Sequence, residues 1–337
     1  MTLMNDARAF LDRLSGGYQD SLILLAANHL GVFGPLAAAE RDAASLAADL
    51  ACDPRALEQL LLALTGAGVL EQPSPGRFRL PDALQPLLDP AGAETIHSIL
   101  DHHFHLLDRW VRLADVVRTG EPARTAGEKR TGRSLRAFIC GMRDISRRSS
   151  YEVAELLPEL GRCRRLLDLG GGPATAAITF CRRWPDLRAV LFDLPDVVPI
   201  AAEQITAAGL DDRIATLPGD FLADPLLADG ADPYDAVYIS NIIHSHDEDE
   251  TRRLYARTRD VMAPGGLLVV KDFFLDDDRA HPAFGSRFAI NMLVGTPGGK
   301  SYTWTETEAD LAALGFTDIA RREVAVNSGL VTARRGA

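Results

Sequence analysis

The chain has 337 residues, 47% apolar and 25% charged, which is the balance of a globular protein with room for two domains or one large α/β unit. Its 36 basic residues against 47 acidic leave a net charge of −11, which argues against a nucleic-acid or anionic-membrane partner, since neutralising phosphate needs a basic face. No apolar run reaches membrane-spanning length, the N-terminus lacks a signal-peptide core, and Cys52, Cys140, Cys163 and Cys181 show no CxxC spacing, so a cytoplasmic protein with buried or half-buried thiols is expected.

Residues 1–160 read as largely helical. Between Tyr18 and Phe33, Leu22, Leu24, Leu25, Ala27, Leu30 and Val32 fall at helical spacing. Ala43–Leu50 and Pro54–Val69 read as two more helices, the second capped by Asp53. The stretch Leu70–Leu80 then reads as two short strands around a Pro/Gly turn. Helix, helix and β-wing make a winged-helix pattern; its second helix carries Glu58 and few basic residues, so packing or dimerisation is expected rather than DNA binding. A further helix carries His97, His102, His103 and His105 beside Phe104, Leu106, Leu107 and Trp110. His102 and His105 share a face that also suits a metal, but no acidic or cysteine pair accompanies them, and no metal is expected. Phe138, Met142 and Ile145 lie at helical spacing further on.

From about Gly161 the pattern alternates between strand and helix, the signature of an α/β, doubly wound, Rossmann-like sheet. Strands are predicted at Arg165–Leu169, Ala189–Leu194, Ile214–Leu217, Ala236–Ser240 and Leu267–Lys271, and helices at Ala174–Arg183, Val197–Ala208 and Asp249–Met262. Two last strand-like runs, Ile319–Val326 and Leu330–Ala333, would add an antiparallel hairpin to the parallel sheet.

The chemistry concentrates at the ends of those strands. Leu166-Leu167-Asp168-Leu169-Gly170-Gly171-Gly172 is an apolar strand opening into consecutive glycines, where the backbone must approach something closely. Asp193 follows Gly172 by 21 residues, at the end of the next strand, where a carboxylate accepts both hydroxyls of a ribose. Pro173 and Ala174 occupy the turn, so the motif is not the GxGxxG of dinucleotide sites. Gly219-Asp220-Phe221 follows the third strand, with a carboxylate for an adenine amine and an aromatic face for its ring. Together these residues describe a nucleotide-cofactor site.

The order of motifs, continued by Ile242-Ile243-His244, by Pro264-Gly265-Gly266, and by Asn291-Met292-Leu293 with Gly298-Gly299-Lys300, resembles the S-adenosylmethionine-dependent small-molecule O-methyltransferases over nearly the whole chain. The resemblance implies a helical, winged-helix dimerisation domain over 1–120, a Rossmann-like methyltransferase domain over 121–337, a homodimer, and S-adenosylmethionine as cofactor. It implies that Asp168, Gly170, Gly171, Gly172, Asp193, Leu194, Asp220, Phe221 and Ser240 bind the cofactor. His244 falls where the family keeps its general base, and Asp272 where it keeps the acidic residue that orients it. His103, Trp110, Met142, Phe288, Asn291 and Met292 fall where the family lines its acceptor pocket; Asn291 among apolar neighbours needs a hydrogen-bond partner.

Five positions depart from the family pattern: in His244-Ser245-His246 the last two replace Asp-Trp, Ser240 replaces a basic residue, Ser301 a second acidic helper, and Ala174 a glycine. His246 either replaces that tryptophan beside the cofactor or lies solvated on its loop, the second being the expectation. A phenol with a pKa of about 10 is mostly neutral at pH 7, and histidine is the side chain suited to take its proton as the methyl transfers. The expected activity is therefore methylation of a hydroxyl on a small aromatic or polyketide-like acceptor. C-methylation of an activated carbon and a non-methylating reaction use the same frame and remain the alternatives.

Overall fold

The computed structural model describes residues 2–92, 94–123, 131–324 and 327–336. The chain divides into two compact units, Met1–Leu107 and Asp108–Ala337, where the family resemblance implies a boundary at residue 120.

The first unit begins with α1 (Thr2–His29), which starts well before the predicted Tyr18 and stops at His29. Gly31, at φ +80°, breaks it from α2 (Phe33–Ala38), so the apolar run that reads as one helix is two. Next come β1 (Arg41–Asp42), α3 (Ala43–Leu50) and α4 (Pro54–Gly66). Asp42 accepts the Ser45 N–H at 2.8 Å and Asp53 the Ala56 N–H at 2.8 Å, so both helices carry side-chain caps worth about 1 kcal/mol each. The wing is β2 (Glu71–Ser74) and β3 (Arg77–Arg79), in a sheet ordered β1-β3-β2. A short α5 (Gln85–Leu88) precedes α6 (His97–Trp110), within which the division between the units falls. The core of this unit packs Phe33, Leu46, Leu61, Leu64 and Phe78, each at most 1% exposed.

The second unit opens with α7 (Leu113–Thr119) and α8 (Gly132–Leu156). Strand and helix then alternate: β4 (Arg165–Leu169), α9 (Thr175–Arg183), β5 (Arg188–Asp193), α10 (Val198–Ala207), β6 (Ile214–Pro218), β7 (Tyr234–Ser240), α11 (Glu248–Val261) and β8 (Met262–Asp272). Helices α12 (Ala283–Gly295) and α13 (Trp304–Ala313) lead to β9 (Phe316–Val324) and β10 (Ser328–Arg335). The seven strands run β6-β5-β4-β7-β8-β10-β9, parallel except for the last hairpin, as the pattern predicts. The end of the predicted run to Val326 lies outside the described residues.

The central strands read as continuous apolar runs because both faces of the sheet are covered. On β4, Leu166 joins one core with Leu191, Tyr238 and Val269, while Leu167 and Leu169 join the other with Val237, Ile239 and Val270. The carboxyl ends of β4, β5, β7 and β8 thereby gather at one edge, where open α/β sheets bind ligands. The four cysteines are free thiols. Among the described residues, no helix is long and apolar enough to cross a membrane.

Candidate active site

At the end of β4 the backbone turns through Gly170 at φ +68°, Gly172 at φ +51° and Ala174 at φ +62°. A Cβ on Gly170 would stand 2.4 Å from Ile242 Cδ1, so the glycine lets the loop after β7 pack directly onto the turn. A Cβ on Gly172 would meet no protein atom. Ala174 keeps a left-handed conformation that favours glycine, at the position where the sequence departs from the pattern.

Asp193, at the end of β5, closes over this turn. Its Oδ2 accepts the Gly172 N–H at 2.8 Å and its Oδ1 accepts the Leu194 N–H at 2.7 Å. Burial raises its carboxyl above the usual range, while the two amides pull it back down. Each oxygen retains a lone pair for one ribose hydroxyl. Asp168 lies on the same face of the sheet but two residues deeper in register: 1% exposed, its Oδ2 accepts the Ala177 N–H of α9 at 3.2 Å, and burial pushes its pKa to about 7. It ties the glycine turn to the helix instead of presenting a carboxylate at the open edge.

After β6, Asp220 Oδ1 accepts the Leu222 N–H at 2.8 Å, and Asp224 Oδ2 accepts the Asp220 N–H at 2.8 Å. Arg257 Nε holds the Phe221 carbonyl at 2.8 Å, so the aromatic ring is carried on a braced turn. Leu194 is 51% exposed at the same edge of the sheet. The residues present therefore fit an adenosyl group: a glycine turn with open space at Gly172, a carboxylate held by two amides, and a carboxylate–aromatic pair two strands away.

His244 follows β7 on a short 3₁₀ turn, Ile243–Ser245. Its Nδ1 lies 2.7 Å from Asp272 Oδ1, and that oxygen also accepts the Phe273 N–H at 2.7 Å. His244 is 8% exposed and Asp272 3%, so the pair sits in a low-dielectric setting. A carboxylate only accepts, so Nδ1 carries the proton and Nε2 keeps the free lone pair. The His244 ring packs edge-on to Phe288 at 4.8 Å and parallel to Phe273 at 6.0 Å, with Phe284 against Phe273 at 5.0 Å.

Ser301 donates its hydroxyl to the Gly285 carbonyl at 2.9 Å, bracing α12; it stays outside the His244–Asp272 pair. His246 is half-buried instead of solvated. Its Nδ1 pairs with Glu250 Oε2 at 3.0 Å and its ring meets Phe221 edge-on at 5.3 Å.

Asn291 Oδ1 finds the partner it requires in Trp110 Nε1–H, at 3.1 Å, joining the end of α6 to α12. Met142 is half-buried on α8, and Met292 is 8% exposed. His103 belongs to the first unit and is exposed on α6. The sequence shows no acidic partner for the histidines of α6, but the structure supplies one: Asp101 Oδ1 meets His29 Nδ1 at 2.9 Å and Asp101 Oδ2 meets His105 Nε2 at 3.5 Å, which pins the end of α1 to α6. Phe273, Phe284 and Lys271, all close to the catalytic candidates, were not singled out from sequence. Lys271 and Phe273 flank Asp272 directly, a signal that the strand-end position itself offers.

Comparison with known proteins agrees with this frame. An O-methyltransferase domain family matches residues 110–317, and an O-methyltransferase dimerisation domain family matches residues 12–85. The 3-hydroxy-5-methyl-1-naphthoate 3-O-methyltransferase of Streptomyces sahachiroi is 32% identical, covering 92% of this chain and 89% of the relative. The tetracenomycin polyketide synthesis 8-O-methyl transferase of Streptomyces glaucescens is 28% identical, covering 96% of this chain and 95% of the relative. Human N-acetylserotonin methyltransferase, solved in complex with S-adenosylmethionine, superposes with a TM-score of 0.88 at 25% identity, covering 98% of both chains.

Proposed function

The chain belongs to the O-methyltransferase family and is an S-adenosylmethionine-dependent methyltransferase, and from that premise we propose that it methylates a hydroxyl of a small aromatic or polyketide-like acceptor with His244 as general base. The observation that carries the base role is the buried 2.7 Å contact between His244 Nδ1 and Asp272, which leaves Nε2 as the proton acceptor.

In this reading Gly170, Gly171 and Gly172 receive the methionine half of the cofactor, Asp193 takes the ribose hydroxyls, and Asp220, Phe221 and Leu194 frame the adenine. When bound, S-adenosylmethionine supplies a methyl group on a sulfonium, a good leaving group for in-line displacement. His244 Nε2 takes the acceptor's hydroxyl proton as the O–CH₃ bond forms and the S–CH₃ bond breaks. Asp272 then stabilises the imidazolium until the proton passes to solvent. Phe273, Phe284 and Phe288 exclude water and give a flat acceptor an apolar wall beside the base. Trp110, Met142, Asn291 and Met292 complete the acceptor pocket, and the relatives' naphthoate and polyketide acceptors support that substrate class.

The protein acts as a homodimer. Besides the dimerisation-domain match, α1 exposes Phe10, Leu14, Tyr18 and Leu22 at steps of four, each at least 36% exposed, a stripe that a second copy would cover. Four free thiols suit the cytoplasm as its compartment.

The test is incubation with S-adenosylmethionine and a panel of hydroxylated aromatic acids and polyketides. Release of S-adenosylhomocysteine together with a product whose fragmentation places the methyl on oxygen is expected. A product methylated on carbon would overturn the assignment of the acceptor atom.

A further inference from the structure

Lys271 has no part in the scheme above, yet it is the penultimate residue of β8 and only 2% exposed. Its ammonium has three protons to donate, and burying such a group without partners is costly. Among the described residues its one hydrogen-bond partner is Asn241 Oδ1, at a long 3.5 Å. Glu152 and Asp272 are the carboxylates whose charges reach it, and neither forms an ion pair with it. Burial lowers its pKa to about 8, so it still carries its charge at neutral pH.

Its position points to what it faces. Nζ lies 5.8 Å from the ring of Phe273, which itself lies against His244. On the other side Asn241, at φ +57°, leads directly to Ile242, the side chain that touches the glycine turn at Gly170. Lys271 thus stands at the carboxyl edge of the sheet, reaching Asn241 in the loop that leads to the glycine turn and Phe273 beside the proposed base.

We propose that Lys271 and Asn241 form a carboxylate-binding subsite, the buried ammonium neutralising a carboxylate carried by a ligand of the enzyme. The subsite rests on the methyltransferase reading, which offers two sources for that carboxylate: the methionine half of the cofactor, or an acid group on an aromatic acceptor. Asn241 Oδ1 holds the ammonium in place, and its neutrality leaves the charge free for the ligand.

The experiment measures calorimetric affinities of the full-length protein and of Lys271→Met, a near-isostere without charge, for two ligand pairs. The first pair is S-adenosylmethionine and its decarboxylated analogue; the second is 3-hydroxy-2-naphthoate and 2-naphthol, titrated with S-adenosylhomocysteine present. Wild type should favour the carboxylate-bearing member of one pair by about 10- to 100-fold, the usual worth of a charged hydrogen bond, and Lys271→Met should erase that preference. Loss confined to the first pair assigns the subsite to the cofactor, and loss confined to the second assigns it to the acceptor. Preferences unchanged in both pairs would overturn the subsite while leaving the enzyme's assignment intact. A wild-type protein that binds no S-adenosylmethionine would instead remove the methyltransferase reading, and the subsite with it. Lys271→Gln, neutral but still polar, repeats the measurement should the methionine variant fold poorly.

Discussion

The two halves of the candidate site are built from different materials. On the cofactor side, at the ends of β4 and β5, the working parts are mostly backbone: a turn held in left-handed conformations and a carboxylate oriented by two amides. On the acceptor side, at the ends of β7 and β8, the parts are side chains: an imidazole, its carboxylate and a cluster of phenylalanines. A backbone cradle recognises an invariant ligand and tolerates little change. A side-chain pocket is retuned one residue at a time, which suits a family whose members share a donor and differ in acceptor.

That contrast predicts a separation of kinetic effects. His244→Ala should lower kcat by roughly 10²- to 10⁴-fold, the usual worth of a general base, while calorimetry finds S-adenosylmethionine affinity unchanged. Asp272→Asn should act in the same direction but less, since the amide keeps the shape and loses the charge that supports an imidazolium. Asp193→Ala should do the reverse. Losing two hydrogen bonds to a carboxylate costs about 2–4 kcal/mol, or roughly 30- to 1000-fold in cofactor Kd, with kcat near wild type once the cofactor saturates. A variant of either residue that moved both constants together would merge the two halves into one.

The glycines sharpen the comparison on a smaller scale. Gly170→Ala and Gly172→Ala both force a side chain into positive φ, a strain of about 1–2 kcal/mol readable by thermal melting. Only the first also strikes Ile242 Cδ1, so adding Ile242→Val should restore part of the stability lost by Gly170→Ala and none of that lost by Gly172→Ala. At Asp168 the effect depends on pH instead of on shape, because its bond to Ala177 survives in either protonation state. Its folded pKa of about 7 stands above the ordinary 3.8, so the folded state holds a proton that the unfolded state releases across that interval. Its contribution is therefore fully present below pH ~4 and is lost as pH rises towards ~7. Denaturant unfolding of Asp168→Asn should show a shallower decline in stability over that range than wild type.

Much of this was legible in the sequence because period and strand-end chemistry are local. Arg165–Leu169 is found with its predicted bounds, and Asp193 and His244 fall at strand ends as their apolar runs imply. What was not legible depends on partners distant in the chain. Asp168 and Asp193 share one face of the sheet, since Asp168 pairs with Leu191 and Asp193 lies two residues beyond it, yet the deeper carboxylate is taken up by α9 and the outer one closes over the turn. Asp101 joins His29 to His105 only because α1 ends against α6, which no spacing within α6 discloses. Ser301 occupies an expected acidic position, but it takes up a backbone carbonyl of α12 in place of the histidine.

The account's central claim is that His244 removes a proton during methyl transfer. Its most direct test is single-turnover methylation by wild type and His244→Ala across acceptors whose hydroxyl pKa falls from about 10 to below the assay pH. If His244 is the base, the deficit of the variant should shrink along the series and nearly vanish for acceptors that arrive ionised. A deficit of constant size across the series would contradict the claim and leave His244 with a role in alignment alone.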